Sequence, residues 1–239
     1  MPATAGSRAK RTKYSSNKYG STKKTQTGNT LVKRGQSKLF IPRPRVGLGQ
    51  AMPDVLRSTI RIYANEVVLG AANTLQHSYI AVNDLYNPLR SLGTSTQPLY
   101  FDELMAIYIK YVVLSAKVRC RVSPNSTERL RVALWENDNN TVTPTMDGIM
   151  VQPKTASGVV MGTANEPLVL TDTYSQAKTK GRDLMANETA TGTASTSPSN
   201  PDYMYLSVFG HDGSWSAFCE WFVEFDVLMY DRRDLNLSS

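Results

Sequence analysis

From Cys219 to Met229 every second residue is apolar: Cys219, Trp221, Val223, Phe225, Val227 and Met229 share one phase, while Glu220, Glu224 and Asp226 fall on the other. A two-residue period held this long describes a strand with one face in a core and the other in water. The same period recurs upstream. Ser58, Ile60, Ile62 and Ala64 alternate with Arg57, Thr59, Arg61 and Tyr63, and Val67–Leu69 extends that strand. Val112, Leu114, Ala116, Val118, Cys120 and Val122 are expected to face one way, and Tyr111, Val113, Ser115, Lys117, Arg119 and Arg121 the other. Arg129–Trp135 puts Leu130, Val132 and Leu134 on one side, with Trp135 opposite. Thr74–Val82 and Tyr203–Phe209 add two strands, and Gly158–Met161 and Pro167–Thr171 two shorter ones.

One segment breaks the period. Phe101, Leu104, Met105 and Tyr108 recur at helical spacing, with Asp102 and Glu103 where a helix dipole favours acids. About eight short strands, one early helix and long polar loops make an all-β fold, a two-sheet antiparallel sandwich. The single eight-stranded jelly roll fits best. An immunoglobulin-like sandwich expects fewer long loops and has no place for the helix. Asn187–Pro201, with no core-forming side chains, reads as an exposed, mobile loop.

Charge divides the chain in two. Of 27 Lys and Arg and 20 Asp and Glu, twelve bases and no acid lie in Met1–Arg45, an arm of about +12 before a body of about −5. Met1–Gly35 has almost no large aliphatics, so burial cannot offset the entropy of ordering it, and it is expected to be disordered when unbound. Residues 46–239 then form the folded domain, large enough for one hydrophobic core. In the junction Lys38–Arg45, Pro42 and Pro44 hold the chain extended, and Leu39, Phe40 and Ile41 are free to dock. No apolar run approaches the roughly 20 residues of a membrane span, so no membrane insertion is expected.

An arm of one sign calls for a polyanion. Arg8, Lys10, Arg11, Lys13, Lys18, Lys23, Lys24, Lys33, Arg34, Lys38, Arg43 and Arg45 are the candidate phosphate contacts. Tyr14 and Tyr19 sit among them as candidate stacking partners for unpaired bases. The run Arg8–Lys13, RAKRTK, also has the composition of a nuclear-import signal.

Catalysis has little support. His77 and His211 are the only histidines and Cys120 and Cys219 the only cysteines, too few for a His/Cys zinc site with proper spacing. No cofactor motif is present. His211–Asp212 invites a triad reading, but no serine lies in a nucleophile-elbow context. With no secretory signal in view, the two cysteines are expected as free thiols in a reducing setting.

The segment Gln97–Val122, QPLYFDELMAIYIKYVVLSAKVRCRV, resembles a "QP-x-x-FD…Y…Y-x-V-x-x-S-K" stretch in capsid proteins of small circular, Rep-encoding single-stranded DNA viruses, the circovirus-like group. Gln97, Pro98, Phe101, Asp102, Tyr108, Tyr111, Val113, Ser115 and Lys117 fill its recurring positions. The basic arm and the long final strand with its charged tail agree with it. The arm departs from circoviruses proper in being lysine-rich and diluted with Ser, Thr and Tyr. The resemblance implies a homo-oligomer of sixty copies in a T=1 shell around circular DNA, found in the virion and, during infection, in the host nucleus. Partners would include a nuclear-import receptor and a cell-surface receptor. A small single-stranded RNA virus capsid protein is the alternative, since phosphate contacts read no 2′-hydroxyl. A lectin-like jelly roll would leave the arm without a purpose.

The resemblance also implies a strand order in which Phe218–Tyr230 lies between Leu56–Ala64 and Val112–Val122. Cys120 and Cys219 would then enter the core from adjacent strands. Arg57 and Arg61 on one side, and Lys117, Arg119 and Arg121 on the other, would flank Glu220, Glu224 and Asp226. Those five bases are either a second nucleic-acid patch or cross-strand partners of the acids. Trp215, in a Gly/Ser turn, is the candidate subunit contact, with packing over the end of the sandwich as its plain alternative.

Overall fold

The computed structural model describes residues 53–92, 97–138, 144–162, 166–181 and 184–233. All candidate residues from Arg8 to Arg45 lie outside them. The order of elements is β1 (Leu56–Gly70), β2 (Thr74–Ala81), α1 (Phe101–Ile107), β3 (Tyr108–Pro124), β4 (Arg129–Asn137), α2 (Met146–Met150), β5 (Ala156–Met161), β6 (Leu168–Ser175), α3 (Gln176–Thr179), β7 (Thr191–Thr193), β8 (Tyr203–Gly210) and β9 (Trp215–Arg232).

The strands form two antiparallel sheets. The first has the order β1-β9-β3-β6, with β7 also paired to β3, and the second has the order β2-β8-β4-β5. β1 to β4 alternate between the sheets, as do β7, β8 and β9, while β4–β5 and β6–β7 each stay within one sheet. This is the jelly-roll arrangement, with one extra three-residue strand. The expected placement of the last strand holds over its whole length, from Leu56↔Met229 to Gly70↔Trp215 on one side and from Tyr108↔Arg232 to Pro124↔Ala217 on the other. Among the described residues no helix is long and apolar enough to cross a membrane.

The inward faces of both sheets make one core. Ile60 and Ile62 of β1, Val118 and Cys120 of β3, Leu130 and Val132 of β4, and Trp221 and Phe225 of β9 all belong to it. Both cysteines are buried and free. Burial pushes their thiols up from the ordinary range, which keeps them protonated and inert. Glu66 turns inward from β1 and accepts hydrogen bonds from Trp221 Nε1 (2.9 Å) and the Ser78 hydroxyl.

In three places the sequence expectation is corrected. The expected faces of β3 hold only after Ser115. The register steps from Val113↔Val227 to Ser115↔Asp226, so Leu114 is an extra residue, a β-bulge. Before the bulge the phase inverts. Tyr111 and Val113 enter the main core, while Val112 and Leu114 lie on the outer face in a separate cluster with Leu184, Ala190, Leu228 and Tyr230.

Second, Asn187–Pro201 is not a featureless loop. It contains a 3-10 turn at Glu188–Ala190 and then β7, which pairs with Lys110–Val112 just before the bulge. Backbone pairing and small residues order this stretch in place of large apolar side chains. A Cβ at Gly192 would lie 2.3 Å from the Tyr111 ring, so this close approach requires glycine.

Third, Trp215 is used inside the domain and is only 3% exposed. Its indole Nε1 donates to the Ala71 carbonyl at 3.0 Å. The ring lies over Gly70 and Gly210, at distances (2.3 and 2.2 Å to a built Cβ) that admit no side chain there. The packing alternative, and not the subunit contact, accounts for it.

Candidate nucleic-acid interface

β9 runs through the middle of the first sheet, and its outward side chains meet those of β1 and β3 in successive rows. One row reads Tyr63, Phe222, Arg119 and the next Arg61, Glu224, Lys117. Below the bulge this outer face is covered by the cluster around Leu184 and Ala190. Above it the face is open, and a shallow groove of about 480 Å³ is lined by Arg61, Tyr63, Lys117, Arg119, Phe222 and Glu224.

The five bases are not equivalent. Arg57 makes a two-pronged bond to Asp226, Nε to Oδ1 at 2.8 Å and Nη2 to Oδ2 at 2.5 Å, and this bond raises its already high pKa. Arg61 Nε donates to Glu224 Oε2 at 2.8 Å. Arg121 Nη1 approaches Glu220 Oε2 at 3.4 Å, while Glu220 Oε1 accepts from the Tyr63 hydroxyl at 3.0 Å. These are exposed pairs, each contributing about 0–1 kcal/mol. Cross-strand pairing therefore accounts for three of the five. Lys117 and Arg119 make no ion pair among the described residues. The Arg119 guanidinium instead stands 5.9 Å from the centroid of the Phe222 ring. Five bases against three acids leave a surplus of about two positive charges, Arg119 in the row that carries the aromatics and Lys117 in the next.

Tyr63 and Phe222 escaped the sequence reading of this site. They are 48% and 41% exposed, with ring centroids 4.9 Å apart and planes at 50°. The signal was present: each is an aromatic at the water-facing phase of an alternating strand.

The motif Gln97–Val122 serves mostly to anchor the chain. Phe101 packs edge-on against Tyr111 at 5.5 Å. The Tyr111 hydroxyl donates to Asp84 Oδ1 at 2.9 Å and accepts from the backbone N–H groups of Leu85 and Tyr86 at 3.2 Å. Arg90 Nη2 closes the same buried carboxylate at 2.8 Å. Tyr108 donates to the Pro53 carbonyl at 2.8 Å. Among the motif positions that β3 carries, Ser115 and Lys117 are the two that reach the outer face above the bulge.

His211 and Asp212 form an exposed pair at 2.7 Å, with no serine in the contact. Among the described residues no three His, Cys, Asp or Glu side chains gather as a metal site.

No protein-family model matches the chain, and no curated protein does. Among solved structures the chain is similar to that of Desmodium yellow mottle tymovirus (14% identity, 85% of this chain and 100% of that one, TM-score 0.36). It is also similar to that of cucumber necrosis virus (15%, 75% and 57%, 0.41) and to the decameric BFDV capsid protein (11%, 74% and 100%, 0.42).

Proposed function

We propose that this chain is the structural subunit of a virus shell, with 46–239 as the wall and Met1–Arg45 as an arm that neutralises packaged single-stranded nucleic acid. The observation that carries the reading is the joining of a jelly roll to twelve bases without an acid. Sixty copies in a T=1 particle would bring about 720 positive charges, enough for roughly 700 phosphates at one charge each. A genome of a few kilobases would need metal ions or polyamines for the remainder. The arm then faces the lumen, and RAKRTK gives a route into the host nucleus.

Circular DNA is the form the Gln97–Val122 resemblance supports. The similar structures, a tymovirus and a necrosis virus as well as the BFDV capsid protein, do not single out DNA, and the RNA alternative stands at least level with it. Electron microscopy of the purified full-length protein should show closed T=1 particles, and the nucleic acid extracted from them should yield to either DNase or RNase. Deleting Met1–Arg34 should leave a folded domain that packages little nucleic acid. A monomer, or normal nucleic-acid loads without the arm, overturns the assignment.

A further inference from the structure

We propose that the open row Tyr63–Phe222–Arg119, with Lys117 beside it, is a stacking subsite for unpaired bases of single-stranded nucleic acid. This rests on the packaging reading and deepens it, because it adds to the arm a structured contact that distinguishes a single strand from a duplex.

Three observations converge on the row. Each of two adjacent strands places an aromatic ring at its outward phase, and the rings lie in one register row, Tyr63↔Phe222. Both rings are close to half exposed, and the Tyr63 hydroxyl is tied to Glu220, which fixes that ring in place without a ligand. Two cations are left without a carboxylate, Arg119 in the row of the rings and Lys117 in the next row, while Arg61 beside Lys117 and Arg121 in the row on the other side are paired. Arg61 is bound to Glu224 through Nε, and its η nitrogens make no hydrogen bond among the described residues, so it too can meet a phosphate while neutralising that glutamate.

The dimensions suit the ligand. Outward rows on a strand are about 6.7 Å apart, two residues of rise. That is comparable to one nucleotide step of an extended single strand. A base lying on Phe222 would thus place its own or the next phosphate over Lys117 and Arg61. Aromatic stacking of this kind tolerates any base, since every base has a π face, and each ring contributes about tenfold in affinity. A duplex keeps its bases stacked inside and would present only phosphates to the groove, leaving the rings unused.

The test is photo-cross-linking of the full-length protein to an oligonucleotide bearing 5-iodouracil, as a deoxy strand, a ribo strand and a pre-annealed duplex, followed by mass spectrometry of the peptides. Single strands should cross-link to Phe222 or Tyr63 as well as to the arm, and the duplex to the arm alone. The deoxy and ribo strands should cross-link there alike, since neither stacking nor a phosphate contact reads the 2′-hydroxyl. Phe222→Leu should reduce the sheet cross-link about tenfold while arm cross-links persist. Lys117→Gln should weaken it at moderate salt without altering the melting temperature.

Single-strand cross-links confined to Met1–Arg45 would overturn the subsite and leave the packaging reading standing. No cross-link in either region would sink both. If Phe222→Leu weakens binding of a sulfated oligosaccharide but not of the oligonucleotide, the row belongs to a glycan and the inference fails.

Discussion

The outer faces of the two sheets are built on the same alternating pattern but finished differently. On the second sheet the outward side chains at the centre of the face are covered by their own chain, while Val159 and Met161 on the edge strand β5 stay exposed. Trp135 of β4 stacks on Tyr205 of β8 at 5.0 Å, and Met146 and Ile149 of α2 pack over them with Ala133 and Tyr203. The Trp135 indole donates to the Ser207 hydroxyl at 2.8 Å, so even its polar edge is satisfied. On the first sheet, above the bulge, aromatics stand at equivalent outward positions with nothing of the described chain over them. The same residue class is core in one place and a free surface in the other, and what decides is whether the following connection folds back across the face.

The largest expected effect separates the two faces directly. Trp135→Ala should destabilise the protein by about 3–5 kcal/mol, through lost contacts and a cavity beneath α2. Phe222→Ala, at an open position, should cost only about 1 kcal/mol, from its cross-strand contact with Tyr63. Urea unfolding followed by circular dichroism measures both. Equal costs would mean that the first sheet is covered after all.

A smaller effect tests the cover itself. The Thr145 hydroxyl caps α2 by accepting from the Gly148 N–H at 3.2 Å. Thr145→Ala should cost about 1 kcal/mol and increase hydrogen exchange in Met146–Met150 while leaving β1 and β9 unchanged. Faster exchange across both sheets would show that α2 is part of the global fold and not a local lid.

The smallest effect concerns pH. His77, on the covered face, hydrogen-bonds through Nδ1 to the Ser207 hydroxyl at 2.8 Å, and burial lowers its pKa below the ordinary 6.5. The unfolded chain therefore takes up the proton first. Stability should be full above about pH 6.5 and decline as pH falls from there towards the lowered value. Urea midpoints at about pH 7.5 and 5.5 should differ in that sense, and His77→Gln should reduce the difference. An unchanged slope in the variant would assign the pH dependence to other groups.

Much of this was legible beforehand. Strand phases in β1, β4 and β9 and the position of α1 can be read locally, because in a strand without a bulge the two faces simply alternate along the chain. The pairing of Arg57, Arg61 and Arg121 with acids stood as one of two open readings, and it became geometry once the register was set. Tyr63 and Phe222 were missed because a strand with an aromatic on its wet side looks, taken alone, like a slightly impure amphipathic pattern. Their meaning appears only when the two strands lie side by side.

By itself, then, the sequence determined the alternation, the acid-free arm and the two-sheet class, all properties of local period and composition. Only the tertiary structure decided the bulge at Leu114, which moves Tyr111 into the core and Leu114 out of it. Only the tertiary structure left Lys117 and Arg119 without acids and seated Trp215 over two glycines. Each of these depends on which residues far apart in the chain come into register, and a one-residue step in register reverses every face beyond it.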